Sequence, residues 1–558
     1  MGTPNGAFII QHLSRRQFLT TFGAACAGGL SVLACAPAAP TAAPKAAPTQ
    51  PAAAAVIPTA APAPTAAPAV GPTAAPAAAT TGGTLVTAIE ADPITIDPAF
   101  TSGLPGRRTG RAIFDPLVDL DQQGKPIPAL AERWEAPDPR TYVLYLRRGV
   151  KFHDGTDFNA EAAKFNFDRH LNPDNKSLRR GELSQIDSVE IQDSHALKIA
   201  LKAPFAPFLF ALFDWSAFMV SPSAVQKLGQ DFGVAPVGTG PFRLVEYAKD
   251  QHTIVERNSD YWDRGKPSLD KIIFRPIPVD STRLTELRSG GVQIAEDLPY
   301  QDVQRMRSMP EIVLSEKSGF RFEFLAFQTQ KPPYGASRAF RQALNWALDR
   351  EAIHKSVYFE TGTIGYDPFL PGTPFYDANY KPFMRDLARA KQLLESAGVP
   401  SPPQFTLYVG PDTVIQKKAQ IIQANFADVG VTVKIEPEDG TANTNRMLNS
   451  NFDLYVGRWW GYRPDPDLYL TTLVHSTGSN NYSKYANPEV DRLLDTARAE
   501  PSVEKRIGTY RQVAPILSED AANIYYHYGS NFKGLSPKVR GFIHMQDGIV
   551  RYRDISVS

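Results

Sequence analysis

The chain has 558 residues, with 59 Lys and Arg against 58 Asp and Glu. That length exceeds what one hydrophobic core sustains, so at least two domains are expected. The near-equal charge count excludes a strongly basic nucleic-acid binder, and the absence of long uncharged apolar runs beyond the N-terminus excludes a multispanning membrane protein.

Both cysteines, Cys26 and Cys35, lie near the start. The remainder therefore carries no disulfide framework and no cysteine metal site. Residues Ser14-Arg15-Arg16-Gln17-Phe18-Leu19 place an arginine pair before an apolar stretch, Phe18–Ala34, the pattern of a twin-arginine export signal. The stretch ends Val32-Leu33-Ala34-Cys35, similar to a bacterial lipoprotein signal, in which the cysteine becomes the acylated first residue. Residues 1–34 are read as the signal and Cys35 as the lipid attachment point. Residues 36–81 hold 22 Ala, 11 Pro and 7 Thr, with Lys45 as the one charge. So few large apolar side chains cannot offset the entropy of ordering, and 35–81 reads as a disordered tether. Fully extended as polyproline II it would reach roughly 140 Å.

From Gly82 onward strands and helices alternate. Gly83–Glu90 is expected to be a first strand, and Tyr142–Arg147 a second, rich in β-formers. Glu161–His170 reads as a helix, and Thr253–Glu256 and Lys271–Phe274 as short strands. Asp280 is expected to cap a helix carrying Leu284 and Leu287 that ends at Gly290-Gly291. Residues 338–359 read as one amphipathic helix, capped by Ser337, with Phe340, Leu344, Ala347 and Leu348 on one face. Leu387, Ala390, Leu394 and Ala397 recur at helical spacing before Gly398 and Pro400. A strand Phe405–Val409, a helix with Ile415, Ala419, Ile422 and Phe426 on one face, and a strand with Val431, Val433 and Ile435 then imply a parallel crossover. Phe452–Gly457 is a further strand, and Asn487-Pro488 opens a helix. The body is of the α/β class.

Enzymatic signatures are missing. There is no phosphate-binding loop, no dinucleotide fingerprint after Gly238-Thr239-Gly240, and no nucleophile elbow. The nine histidines lack zinc-binding spacing, and no carboxylate pair stands out as a general acid and base. The expectation is no enzyme, no cofactor and no metal.

Several segments occur together and in order. They are Tyr142-Val143-Leu144-Tyr145-Leu146-Arg147 through Lys151-Phe152-His153-Asp154-Gly155 with Asn159-Ala160-Glu161, then Pro236-Val237-Gly238-Thr239-Gly240-Pro241-Phe242 followed by Arg257-Asn258 and Asp260-Tyr261-Trp262. Arg341–Arg350, Asn481-Tyr482-Ser483-Lys484-Tyr485 and Asn487–Asp491 follow. This set resembles the peptide/nickel/opine-binding family of ABC-importer solute receptors. The resemblance implies a two-lobe, type II periplasmic-binding-protein-like fold with an extra subdomain inserted in the first lobe. Lobe I is then 82–320 with the insert at about 111–235, lobe II is 321–525, and 526–558 returns to lobe I. The glycines of 238–240 are read as shaping a turn, and Tyr261 and Trp262 as packing residues.

The resemblance also implies a ligand in the cleft between the lobes, with Arg458-Trp459-Trp460-Gly461-Tyr462-Arg463-Pro464-Asp465 as the main pocket segment. Peptide-binding members carry a carboxylate shortly after the Trp-x-Gly element, where this chain has Tyr462. Dipeptide-binding members carry an Arg near the loop that is Gly410-Pro411-Asp412-Thr413 here, with none. Neighbouring strand residues face opposite ways, so one of Trp459 and Trp460 is expected in the cleft. The candidate ligand-binding residues are Trp459, Trp460, Tyr462, Asp465, Asp92, Gln328 and Tyr482. The expected function is capture of a small polar solute, a peptide or related molecule, and delivery to an ABC permease and its ATPase. Oligosaccharide, opine or metal chelate is the alternative ligand; a secreted hydrolase or a chaperone-like surface lipoprotein is the remote one. The protein is expected to be a monomer, lipid-anchored on the outer face of the cytoplasmic membrane, without nucleic acid.

Overall fold

The computed structural model describes residues 82–558, apart from Tyr462 and the side chain of Trp460. The proposed signal, Cys26, Cys35 and the tether lie outside the described residues. The body begins with strand β1 (Thr84–Ile89) and helix α1 (Leu104–Ile113). Helix α1 buries three arginines, and each finds a carboxylate: Arg107 pairs with Asp214 at 2.7 Å, Arg108 with Glu296 at 3.0 Å, and Arg111 with Asp119. Buried charges persist only when paired in this way.

An inserted layer follows: strands β2 (Ala131–Asp138) and β3 (Thr141–Leu146), helix α2 (Ala160–Leu171), and strands β4 (Ile186–Asp193) and β5 (Ala196–Leu201). The strands form a separate antiparallel sheet in the order β2-β3-β5-β4. Asn159 caps α2 by accepting from the Ala162 N–H at 2.9 Å. Leu144, Leu197, Ile199 and Phe167 join sheet and helix in one core.

The main sheet takes in β6 (Phe242–Ala248), β7 (His252–Arg257), β8 (Lys271–Pro276), β9 (Ile294–Glu296) and β10 (Val313–Phe327), with helix α3 (Asp280–Ser289) between β8 and β9. The second half of the chain supplies helices α4 (Arg338–Ala347), α5 (Arg350–Tyr358) and α6 (Leu387–Glu395), strand β11 (Gln404–Val409), helix α7 (Thr413–Ala427), strand β12 (Thr432–Pro437), helix α8 (Gly440–Leu448), strand β13 (Leu454–Trp460), helices α9 (Pro488–Ala499) and α10 (Val503–Asp520), and strand β14 (Asn523–Leu535). The sheet runs β13-β10-β14-β9-β1-β8-β7-β6, with Thr363–Ile364 also pairing to β14. β1 is parallel to both β8 and β9.

Strands β10 and β14 form a long antiparallel ribbon. Its first part runs from Val313↔Leu535 to Ser318↔Ser530, and it resumes at Phe322↔Tyr528. The ladder thus breaks at residues 319–321 opposite Gly529, where the Arg321 side chain lies across a glycine that has no room for a Cβ. Beyond the break both faces of β10 are covered. Leu325 and Phe327 enter the core of α4, α5 and α7, while Phe322, Phe324 and Ala326 enter that of α9 and α10. Burial on both faces explains the nearly unbroken apolar run here, and each large side chain contributes roughly 1.5–3 kcal/mol.

The predicted crossover at 405–435 forms: β11 and β12 pair in parallel from Gln404↔Thr432 to Val409↔Pro437, as a two-stranded sheet of their own. Three local expectations are corrected. The helix expected over 338–359 is two, because Leu348 leaves helical geometry (ψ 121°) and Asp349 caps α5 by accepting from Ala352 N–H at 2.8 Å. Asp280 is the first residue of α3 rather than its cap; its carboxylate accepts from Ser281 N–H. The strand expected at 452–457 runs on to Trp460. The chain does bend at 239–241 before β6, and Gly238 and Gly240 also serve a close approach: a Cβ on Gly238 would stand 2.2 Å from the Ile113 carbonyl oxygen, and one on Gly240 2.5 Å from the Ile113 carbonyl carbon.

Candidate functional site

Strand β13 alternates, and its Tyr455, Gly457 and Trp459 share a face with Phe324 and Ala326 of β10. Gly457 sits opposite Phe324, whose ring would lie 2.7 Å from a Cβ there. Gly461 closes the strand by donating to the Phe320 carbonyl at 2.7 Å, and a Cβ on it would strike that oxygen and the Trp459 indole nitrogen. Gly457 leaves room for a cavity of about 340 Å³ walled by Phe324, Met447, Tyr455, Trp459, Leu473 and Tyr482. A second, of about 310 Å³, lies beside it, lined by Trp459, Gly461, Arg463 and Tyr469 from the later half and by Glu182 and Trp215 from the inserted layer. Trp459 and Asn480 belong to both cavities. Each falls in the size range of small-molecule sites.

The inserted layer is tied to this segment by charge. Arg463 donates to Glu182 through Nη2, which also reaches Ser216 Oγ at 2.9 Å. Arg179 holds the other Glu182 oxygen at 2.7 Å, and its guanidinium lies 4.2 Å from the Trp215 ring centroid. Burial opposes the charge on Glu182, but Arg463 and Arg179 outweigh it and hold the carboxyl below its ordinary range. At the rim of the first cavity, Arg458 pairs with Asp412 at 3.1 Å. Asp412 also caps α7 by accepting from Val414 and Ile415. A guanidinium therefore stands at the 410–413 loop although the loop has none of its own.

Of the candidate residues, the structure brings Trp459 and Tyr482 together; the Tyr482 hydroxyl donates to Asn480 Oδ1 at 3.2 Å. Trp460's side chain and Tyr462 lie outside the described residues. Three residues stand elsewhere. Asp465 is 1% exposed and gripped by Arg506 Nη1 and Nη2, so its carboxylate is turned into the lobe. Asp92 accepts from the Tyr247 hydroxyl at 2.6 Å, against β6. Gln328 accepts from Gln330 N–H at 2.7 Å in the turn after β10. Sequence reasoning missed Glu182, Trp215 and Arg179, and left Arg463 unassigned within its pocket segment. Among the described residues no group of three or more His, Cys, Asp or Glu is placed to hold a metal ion, and no helix is long and apolar enough to cross a membrane.

The fold, which solved structures share with this chain, is that of the two-lobe, type II binding proteins. Residues 125–481 match the family model of bacterial extracellular solute-binding proteins, family 5 middle, and the chain belongs to this family. It is 29% identical to the glutathione-binding protein GsiB of Pectobacterium atrosepticum over 484 residues, 85% of this chain and 94% of that protein. The periplasmic binding protein DppA from Helicobacter pylori, solved with the peptide STSA, is 28% identical with a TM-score of 0.74 over 86% of this chain and 98% of that one. AgaA from A. tumefacien R10, solved with agropinic acid, is 28% identical with a TM-score of 0.73 over 85% and 99%. The protein is a substrate-binding component of an ABC importer. Its family is periplasmic or extracellular and is one of solute binders, not catalysts.

Proposed function

We propose that this protein captures a small polar solute, a peptide or related amino-acid derivative, in the paired cavities on either side of Trp459. It hands that solute unchanged to an ABC permease. The observation that carries the reading is the sharing of one indole by two cavities whose walls come from β13 and from the inserted layer. Lobe I is 82–320 with 526–558, and lobe II is 321–525. The register break in the β10–β14 ribbon supports a hinge there, because few ladder bonds resist a twist at that point. Ligand that touches both lobes favours the closed form by its differential affinity alone. Peptide and opine complexes among the similar structures support an amino-acid-derived ligand.

The sequence around Cys35 and the tether support a monomeric receptor anchored by lipid to the outer face of the cytoplasmic membrane. The test is native mass spectrometry of the full chain, purified gently and then denatured to release bound molecules. Peptides or amino-acid conjugates are expected. A neutral oligosaccharide would instead assign the aromatic walls to sugar stacking. A Cys35→Ser variant is expected to move from the membrane fraction to the soluble one.

A further inference from the structure

The second cavity has a one-sided hydrogen-bonding inventory. Three buried nitrogens in and around it have no partner: Nε of Arg463, Nε of Arg179 and Nε1 of Trp459. All three can only donate. The carboxylates nearby are already paired. Glu182 is shared by Arg179 and Arg463. Asp214 is held by Arg107 at 2.7 Å. Asn480 Oδ1 receives the Tyr482 hydroxyl at 3.2 Å. Behind the wall, Asp465 and Asp467 are paired with Arg506 and Arg498. Charge points the same way: Arg179, Glu182 and Arg463 form a triad with one positive charge in excess. Dry donors without acceptors are costly, and an arginine triad with a single carboxylate is short of one anion.

Building on the receptor reading above, we infer that this second cavity is an anion subsite that takes a carboxylate of the ligand, with Arg463 as its charged partner and Trp459 as a neutral donor. The missing acceptor disfavours closure of the empty cleft, and a seated carboxylate supplies it. The subsite thereby makes closure depend on an acidic ligand. A free ammonium is disfavoured there, since Arg463 and Arg179 already share a single carboxylate.

The test uses the full chain, stripped of bound molecules by denaturation and refolding, in calorimetric titrations. The probes are an N-acetylated tetrapeptide mixture with free carboxyl ends, the same mixture as C-terminal amides, a neutral maltooligosaccharide, and whatever native mass spectrometry releases. The acid is expected to bind at least tenfold more tightly than the amide. Arg463→Gln is expected to abolish that difference. Trp459→Phe, which keeps a ring and removes one N–H, is expected to weaken acid binding several-fold more than amide binding. If Arg463→Gln does not fold, judged by its melting curve, Arg463→Lys and Trp459→Phe carry the comparison. Equal binding of acid and amide, or tight binding of the neutral saccharide or of a released molecule lacking an acid group, overturns the subsite and leaves the receptor standing. Binding of no probe, with nothing released, overturns both.

Discussion

Arg506 grips Asp465 with both guanidinium nitrogens, Nη1 and Nη2, each 2.5 Å from one carboxylate oxygen, and both side chains are buried. This fork-to-fork pair joins α10 to the segment that follows β13. It fixes the far end of the loop whose near end lines the cavities. Asp465 thus shapes the pocket without entering it. Removing one member leaves the other as an uncompensated buried charge. Asp465→Ala is expected to destabilise the protein by about 3–5 kcal/mol in urea titrations. If Asp465 were instead a ligand contact, affinity would fall and the urea midpoint would hold.

Trp459 is shared by both cavities, so its truncation is expected to open one into the other. Trp459→Ala is expected to weaken the co-purified ligand by at least roughly 30-fold, as a central aromatic anchor does. Its effect on the melting temperature should be small, since the ring is only partly buried. Titration calorimetry beside a melting curve checks both statements.

Gly238 tests the packing of the inserted layer on α1. With 2.2 Å between a Cβ and the Ile113 carbonyl oxygen, backbone must move to admit even alanine. Gly238→Ala is expected to cost about 1–3 kcal/mol. Gly155→Ala is a control of another kind, because nothing lies near its Cβ and only its positive φ of 84° is strained.

Acid stability follows from the histidines. Burial lowers His153 to about 4, His170 to about 3 and His544 to about 3, and pushes His527 well below its ordinary 6.5. The unfolded chain therefore binds more protons than the folded one below about pH 6.5, and stability falls as pH drops from there toward 3–4. Each histidine adds roughly 1.4 kcal/mol per pH unit across that window. Asp367 opposes them: burial pushes it up to about 7 from an ordinary 3.8, so its contribution is lost as pH rises between those values. His170→Gln is expected to flatten the acid limb by about one proton and Asp367→Asn to steepen it, read from urea titrations at pH 4–7.

The parts legible in the sequence are those fixed locally. The 405–435 unit was readable because Asp412 caps α7, Gly430 ends it in a left-handed turn, and both strands alternate. The split between α4 and α5 was not, since Leu348 leaves the helix to fill a core and the Asp349 N–H is received by Asn425, far along the chain. The site divides the same way. Trp459 and Tyr482 stand near one another in sequence, and each lies in a recognisable motif. Glu182 and Arg463 are 281 residues apart, and each reads alone as an ordinary surface charge. Asp465 was misplaced because a short motif does not reveal that Arg506 claims it.

The break in the β10–β14 ribbon has a mechanical consequence. In the proposed division the chain passes between lobes twice, side by side, and the bonds that hold each strand in register lie on either side of the gap rather than across it. A single peptide cut between residues 319 and 320 would leave the second crossing intact and the β10–β14 ladders on both sides untouched. A nicked molecule should therefore remain one particle, still able to fold its two halves around a ligand. Amide hydrogens at 319–320 and Gly529 should also be among the first of the ribbon to exchange with solvent.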